Sequence, residues 1–563
     1  DISNDTVIEN INLLIMDGES SFGNGTLVNV LDETGGRQLM IYDRLSAHLA
    51  YIMAFYRHID HLPDSIEKMI KQYSKNMKTS RGFIGRNCEI RNCNEIINVK
   101  IGDYTRINGA SLLKEGSINS NSYSPVKIGL NTIAENFIIS SGAEINNGAI
   151  IFNCFVGQGC LLSNNYSATN SLFFSNCQGI NGEACSVFAG PFTVTHHKST
   201  LLIAGMFSFL NAGSGSNQSN HMYKLGPIHH GIVERGSKTT SDSYLLWPAK
   251  IGPFTLVLGR HYKNSDTSFM PFSYLIEKND ESWLVPGINL RSVGTIRDAM
   301  KWPRRDKRTD PDLLDCINYN LLSPYTVERM LKGKKILEDL RNVSVDSCDV
   351  YSWGTVNISG SSLTKGIDLY NMAISKFLGN SISTRIENKL PSSKTELLNA
   401  LIPESDNGHG EWIDIAGLIA PKKLVQALIN GIDSGNILTL SQFESELQKI
   451  HNHYYEYEWE WVASNMECLY GKKIRELGVS DIIFIIKQWK DSVIKLDKLL
   501  YEDARKEFRL SAKTGFGIDG DQTIKEQDFY KVRGSFEDNT FVKEISEHIN
   551  KKSALGDKII GYL

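Results

Sequence analysis

The first half of the chain carries a repeated pattern of apolar and small residues. In each copy an apolar residue is followed by glycine, by a small residue four positions later, and by a second apolar residue six positions later. The six copies begin at Phe22, Ile84, Ile101, Ile128, Val156 and Ile251. Several apolar positions are 17 residues apart, as Ile84 is from Ile101 and Ile128 from Ile145. The pattern indicates one structural unit repeated along the chain.

A stacked coil accounts for this pattern. Every sixth position turns inward and meets its equivalent in the coils above and below, and the position four residues on must be small because it lies near a corner. Pairs such as Asn147-Gly148 suit corners because both residues tolerate positive φ. One coil cannot bury its own inner face, so coils must stack. We therefore predict a β-solenoid over residues 1–297.

Two segments interrupt the predicted solenoid. Residues 43–78 have apolar side chains at helical spacing, including Leu45, Leu49 and Ile52, and Pro63 divides them into two predicted helices. The stretch 191–248 is rich in small and amide side chains, and we expect a long loop insertion there.

The hexad pattern disappears at about Asp298. Residues 298–390 predict a mixed, mainly helical connecting region, and residues 391–563 an α-helical C-terminal domain with apolar residues at helical spacing. Because the ends of a solenoid need cover, we expect the helical region to cap it.

Composition narrows the function classes. The chain has 563 residues, with 60 basic and 64 acidic residues and a net charge of −4, which argues against a nucleic-acid partner. It lacks an apolar run of about 18 residues, so we expect no membrane span. The nine cysteines include no CxxC pair and favour reduced thiols in a cytoplasmic protein. No signal peptide is visible, although the sequence begins at Asp1 without a methionine.

A cluster of histidines provides the candidate chemistry. Six of the thirteen histidines lie between His196 and His261, together with Lys224, Lys238, Arg235 and Arg260. Histidine is the natural proton acceptor near neutral pH, and acyl transfer needs such a base and a donor for the developing oxyanion. The glycine-rich stretch from Asn211 can offer backbone N–H groups.

These residues define a predicted site. We predict His196 or His197 as the catalytic base. The predicted substrate-binding residues are His221, Lys224, His229, His230, Arg235, Arg260, His261, Gly213, Gly215 and Asn217. No metal ligands and no tightly bound cofactor are predicted. A separate run, 301–308, has five basic residues in eight and is either a solvated loop or an anion site.

The repeats resemble those of the bacterial hexapeptide-repeat superfamily. That resemblance implies a left-handed parallel β-helix, a homotrimer with sites between neighbouring solenoids, and acyl transfer from coenzyme A or acyl carrier protein with a histidine base. One branch, the gamma-type carbonic anhydrases, binds zinc through three histidines, two of them five residues apart. No pair here has that spacing, and His221 and His229 are eight apart.

Longer phrases resemble a large, uncharacterised bacterial family whose members are often labelled as related to UDP-N-acetylglucosamine pyrophosphorylase. The phrases are residues 29–37, 42–50, 188–197, 217–223 and 289–297. The chain has no glycine-rich nucleotidyltransferase signature before the solenoid, so the resemblance implies the fold more than the reaction.

Three functions follow from these observations. The leading hypothesis is a cytoplasmic transferase that moves an acyl group from acetyl-CoA or another acyl thioester onto a sugar or nucleotide-sugar. The second is a non-catalytic nucleotide-sugar-binding or scaffold protein. The third is a metal-dependent enzyme of the gamma carbonic anhydrase type.

Overall fold

The N-terminal part of the chain winds into a parallel β-solenoid of about eleven turns. The structure is a computed structural model that describes residues 1–219, 225, 230–343, 349–389 and 393–563. The predicted β-solenoid, its helical insertion and the helical C-terminal region are confirmed.

The strands are short, and most belong to the solenoid. Those of its first half are β1 (Val7–Glu9), β2 (Leu13–Ile15), β3 (Leu27–Asn29), β4 (Gln38–Met40), β5 (Glu89–Arg91), β6 (Glu95–Ile101), β7 (Arg106–Asn108), β8 (Leu112–Ile118), β9 (Lys127–Ile128), β10 (Ile133–Ile139), β11 (Glu144–Ile145), β12 (Ile150–Val156), β13 (Leu161–Ser163), β14 (Ser167–Phe173), β15 (Gln178–Ile180), β16 (Glu183–Cys185) and β17 (Phe188–Ala189). The remaining strands are β18 (Val194–Thr195), β19 (Leu201–Ile203), β20 (Gly205–Phe207), β21 (Asn211–Ala212), β22 (Asn217–Ser219), β23 (Gly231–Val233), β24 (Lys238–Thr239), β25 (Tyr244–Leu246), β26 (Lys250–Ile251), β27 (Leu256–Leu258), β28 (Arg260–His261), β29 (Tyr274–Lys278), β30 (Glu281–Val285), β31 (Val350–Trp353), β32 (Val356–Ser359), β33 (Trp412–Ile415) and β34 (Leu418–Pro421).

Helices form the insertion near the N-terminus and most of the second half. They are α1 (Ala47–Phe55), α2 (Leu62–Met77), α3 (Val293–Arg305), α4 (Pro324–Val343), α5 (Gly360–Lys389), α6 (Lys394–Ala400), α7 (Lys422–Asp433), α8 (Leu440–Asn452), α9 (Tyr454–Tyr470), α10 (Val479–Arg505), α11 (Gln522–Arg533) and α12 (Thr540–Tyr562).

Two long sheets form the walls of the solenoid. Sheet I runs β2-β6-β8-β10-β12-β14-β17-β20-β23-β26, and sheet II runs β1-β5-β7-β9-β11-β13-β15-β18-β21-β24-β27-β29 before β30, β32 and β31 extend it. The seven-residue strands of sheet I bend at a residue with positive φ, such as Asn153, and so cover two sides of the coil. A short sheet of β22, β25 and β28 continues the third side.

The repeated apolar residues line the core in two columns. Along sheet I the paired positions are Ile101, Ile118, Ile139, Val156 and Phe173. Along sheet II they are Ile90, Ile107, Ile128, Ile145 and Leu162. All are nearly fully buried. The copies of the motif occur in both columns because each side of the coil repeats the same hexad.

Asparagines occupy the corners, as their tolerance of positive φ predicts. Asn136, Asn153 and Asn170 all have positive φ, and each donates from its side-chain amide to the next, at 3.0 and 3.2 Å. Each is 17 residues from its neighbour, so one turn of the solenoid is one step of this ladder.

Two expectations from the sequence were wrong in detail. The copy of the motif at Phe22 does not form a coil, because β3 pairs in an antiparallel hairpin with β4 outside the solenoid. The described residues of the stretch 191–248 are not a loop insertion, since β18 to β25 add rungs to the solenoid. Gly215 forms a corner of a coil there, whereas Asn211 and Asn217 lie in strands.

The outer side of sheet I is sealed by apolar packing. An outward ladder of Ile138, Phe155, Leu172, Phe188 and Met206 runs along it. These side chains join one buried cluster with α1, α2 and the β33–β34 hairpin. The helical insertion and part of the C-terminal region therefore bind the same side of the solenoid.

Candidate functional site

A cavity of about 380 Å³ lies between the outer side of sheet II and helix α3. Its floor is formed by four residues in register on consecutive rungs, namely Gln178, Val194, Asn211 and Lys238. Its roof is one side of α3, with Thr295, Asp298, Trp302 and Arg305. Their spacing of three or four residues places them on one face of the helix.

Aromatic corners hold α3 over the sheet. Phe192 and Phe209 both have positive φ and stack with ring centroids 5.3 Å apart. Trp302 packs edge-on against Phe209 at 4.7 Å and lies 6.1 Å from Phe254. The buried indole therefore anchors the C-terminal half of α3 and forms the apolar wall of the cavity.

A lysine tethers the other half of the helix. Lys238 Nζ donates to Asp298 Oδ2 at 2.5 Å and to the Gly294 carbonyl at 3.0 Å. Both charged side chains are about one-fifth exposed, so the pair lies at the cavity surface.

His196 lies at the end of β18 and points its ring to the cavity floor. Its Nε2 is 2.7 Å from Gln178 Oε1. Since an amide oxygen only accepts, Nε2 carries the proton and Nδ1 keeps its lone pair in the neutral ring. Partial burial, then His197 and Arg305, lower the pKa of His196. The imidazole is therefore neutral at pH 7 and able to accept a proton.

The far edge of the cavity is basic. Arg305 and Lys307 line it, and the Lys307 N–H donates to Asn176 Oδ1 at 2.7 Å. Partial desolvation, followed by neighbouring cations that include Arg297, lowers the pKa of Lys301 beside it. A concentration of cations around one carboxylate, Asp298, favours an anionic ligand.

The basic residues of the run 301–308 have two different roles. Arg308 forms a bidentate pair with Asp306 and donates to the Asp315 carbonyl at 2.6 Å. Burial opposes ionisation of Asp306, but Arg308, Tyr319 and Asn176 together lower its pKa. This internal network fixes the chain so that Arg305 and Lys307 face the cavity.

The structure brings His196 together with two residues of that run, but it places His197 on the solvent-exposed turn beyond the cavity. Arg235 is only 1% exposed. Its guanidinium pairs with Asp414 at 2.7 Å, donates to the Asn318 and Gly417 carbonyls, and lies 4.6 Å from the Phe209 ring. Arg235 therefore joins the solenoid to the β33–β34 hairpin.

The glycine-rich stretch belongs to a coil. The Gly213 N–H donates to Thr239 Oγ1 at 3.0 Å, and the Asn217 N–H donates to the Ser243 carbonyl at 3.0 Å. Gly215 has a φ of 73° and forms the turn between them. The N–H groups of Gly213 and Asn217 are therefore used inside the solenoid.

Three further predicted residues, Arg260, His261 and His230, lie apart from the cavity. Arg260 is exposed and pairs with Asp242, whereas His261 is buried and contacts Ser282 Oγ at 2.8 Å. Burial lowers the pKa of His261 to about 4. His230 contacts Arg37 and Asp32 at 2.8 and 3.4 Å. His221, Lys224 and His229 lie outside the described residues.

Several cavity residues escaped the sequence analysis. Gln178, Asp298 and Trp302 were not singled out, because their approach depends on the register of rungs and on the docking of α3. The one available signal was the spacing of 16 residues that separates Gln178 from Val194 and of 17 residues that separates Val194 from Asn211.

Clusters of metal ligands and membrane-spanning helices are both absent among the described residues. No three His, Cys, Asp or Glu side chains among them come together in a way that could hold a metal ion. No helix in the same part of the chain is long and apolar enough to cross a membrane.

The fold and cavity define a β-solenoid protein with a helical C-terminal region. The chain belongs to the family described as Domain of unknown function (DUF4954), whose model matches residues 1–341. A second model, Domain of unknown function (DUF6819), matches residues 393–563. An uncharacterized protein of Treponema pallidum (strain Nichols) is 24% identical over 404 residues, which cover 64% of this chain and 51% of that protein. The chain thus spans about half the length of this curated relative. None of these descriptions mentions a pyrophosphorylase.

Proposed function

We propose that the cavity under α3 is the active site of a small-molecule transferase of the hexapeptide-repeat type. The observation that carries the proposal is the position of a neutral imidazole, His196, in one cavity with Lys238, Arg305 and Lys307. A base beside an anion-binding edge suits an acceptor that carries phosphate, such as a sugar phosphate or a nucleotide-linked sugar.

The proposed reaction is acyl transfer from a thioester such as acetyl-CoA. His196 Nδ1 accepts the proton of the acceptor's hydroxyl or amine. The oxygen or nitrogen of that group attacks the thioester carbonyl at the same time. The new C–O or C–N bond forms, the C–S bond breaks, and the thiolate leaves and takes up the proton. Arg305 and Lys307 hold the acceptor's phosphate, which keeps the nucleophile beside the imidazole.

This proposal differs from the prediction in its supporting residues. The cavity supplies Gln178, Lys238, Arg305 and Lys307 in place of Arg235, Arg260 and the Gly213 N–H, whose contacts lie elsewhere. The residues that line the cavity come from the solenoid, from α3 and from Lys307 just after it. Light scattering of the purified chain tests the proposed homotrimer.

The experiment measures thioester consumption by the full chain. Acetyl-CoA is mixed with a panel of sugar phosphates and nucleotide-linked sugars, and free thiol is followed with a colorimetric reagent. We expect turnover with at least one acceptor, and His196→Ala to lower kcat/KM by roughly 10²- to 10⁴-fold because the base is lost.

His197→Ala is the matched control. It removes the same side chain at the next position, which faces solvent, and we expect kcat/KM within about twofold of the wild type. No consumption with any acceptor, or equal losses in the two variants, would contradict the proposal.

Binding without turnover is a second candidate. It is favoured by the attachment of the cavity roof to the C-terminal region, where the Val293 N–H donates to Asp503 Oδ2 of α10 at 3.0 Å. A ligand under α3 could thus be sensed by the helical domain. Thermal stabilisation by an acceptor that supports no thioester consumption would favour this function.

A further inference from the structure

A second cavity, of about 550 Å³, lies in the helical region between α5 and α9. Segment 320–322 closes one side of it. From α5 come Ser381 and Arg385, four residues apart on one helical face, and from α9 come Glu458 and Trp459. The walls therefore combine the end of the first family domain, the connecting helix and the second family domain.

Two buried polar atoms at this cavity lack partners among the described residues. Trp459 is 4% exposed, and its Nε1–H has no acceptor there. Glu458 Oε1 accepts from Ser381 Oγ at 3.4 Å, and the buried Oε2 completes no hydrogen bond in the same part of the chain. Burial raises the pKa of Glu458 to about 7, and the nearby hydroxyls of Tyr454 and Ser381 oppose that rise. Buried polar groups are nearly always hydrogen-bonded. An unsatisfied donor and an unsatisfied acceptor on two residues that line one cavity favour a ligand with both functions.

The charges at the cavity are also of both signs. The guanidinium of Arg385 lies 5.7 Å from the centre of the Trp459 ring and donates through Nε to the Ala400 carbonyl at 3.3 Å. Arg385 and Glu458 line the same cavity without an ion pair within 4 Å. A simple anion there would meet the carboxyl groups of Glu456 and Glu458, and a simple cation would meet Arg385.

We propose that the cavity between α5 and α9 binds a small zwitterion of the amino-acid type. Its ammonium group binds the free Oε2 of Glu458, and its carboxylate binds Arg385 and the indole N–H of Trp459. Leu322 and Phe377, which also line the cavity, pack against its side chain. The site is independent of the transferase cavity, so either proposal can fail alone.

The experiment measures binding of the twenty amino acids to the full chain by thermal shift and then by titration calorimetry. For an amino acid that binds, the probes are its decarboxylated amine and its deaminated acid. We expect both probes to bind at least about tenfold more weakly, since each lacks one charge-assisted contact. His196→Ala should bind the amino acid as the wild type does.

Variants on the two helices test the residues. Glu458→Gln, Trp459→Phe and Arg385→Gln should each weaken binding by about tenfold or more. Glu467→Gln, an exposed position on the same helix α9, should bind unchanged. Because Arg385 is partly exposed, its variant keeps the test decisive if a change at Glu458 prevents folding.

Three results would overturn the proposal. They are no amino acid binding at about 10 mM, an amine or acid probe that binds as tightly as its parent, and unchanged affinity in a folded Arg385→Gln or Glu458→Gln protein.

Discussion

The outer sides of sheets I and II come from the same coils but have opposite characters. Along sheet I, the outward ladder from Ile138 to Met206 is apolar and lies under helices and a hairpin. Along sheet II, the outward ladder from Gln178 to Lys238 is mostly polar and leaves a cavity under α3. The buried core is alike behind both. The difference shows that the outward residues, each one position before an inward residue of the repeat, decide which side is sealed and which can bind a ligand.

The largest expected effect comes from opening the sealed side. Phe155 is 1% exposed in the packed cluster outside sheet I, and we expect Phe155→Ala to lower the free energy of unfolding by about 3–5 kcal/mol. Denaturant titration of the full chain measures this change. Acceptor KM should stay the same in the folded fraction, because the cavity is on the other side.

Phe152 in the same strand is the control. It is 36% exposed, and Phe152→Ala should cost less than about 1 kcal/mol. Equal losses at the two positions would mean that the helices do not seal sheet I.

A smaller effect is expected from removing the Lys238–Asp298 ion pair between sheet II and α3. Lys238→Met removes both the link to Asp298 and one cation of the cavity, and we expect acceptor KM to rise by about tenfold. The free energy of unfolding should fall by only about 1 kcal/mol, because the ion pair is partly exposed. Steady-state kinetics and thermal denaturation separate the two effects.

Lys250→Met gives the matched comparison. Lys250 lies in β26 of sheet I, and its nearest carboxylate oxygen, in Glu234, is 3.8 Å away. Its replacement should leave KM unchanged, and a similar rise in KM would remove the distinction between the two sides.

The smallest expected effect is a shift in a pH profile. Arg305 is one of the groups that lower the pKa of His196, so the acid limb of kcat/KM should lie below pH 6.5. Removing the cation in Arg305→Gln should raise that pKa and move the limb to higher pH. A series of rate measurements from pH 5 to 8 gives the position of the acid limb of kcat/KM.

Arg304→Gln removes the neighbouring charge outside the cavity and should leave the limb in place. If the acid limb shifts equally in both variants, or moves to lower pH, His196 is not the group whose titration causes that limb.

The fold was largely predictable because its signal is local. Residues such as Ile101 and Ile145 repeat at a fixed spacing, and each must meet its equivalent in the next coil. The copy of the motif at Phe22 wrongly predicted a coil, because a hairpin can have the same short pattern. Amide-rich rungs near 211–219 were mistaken for a loop, since their inner positions, such as Ala212 and Gln218, are small or polar and give little hydrophobic signal.

The candidate site was predictable only in part. His196 could be selected as a residue type, and the basic run 301–308 as a possible anion site, but more than 100 residues separate them. The docking of α3, through Trp302 on Phe209 and Lys238 on Asp298, brings the two together. Arg235 had the chemistry of a phosphate ligand, yet its partners Asp414 and Asn318 are remote in sequence, so its burial could not be foreseen.

The asparagine ladder has a consequence for how such a protein can change in length. Along a side of the coil, a single added residue would turn every later side chain from the core to the outside. At a corner, extra chain can leave and return to the same rung, as the segment between β2 and β5 does with its two helices. New modules can therefore be grafted onto this scaffold at its edges without disturbing the arrangement of Gln178, Asn211 and Lys238.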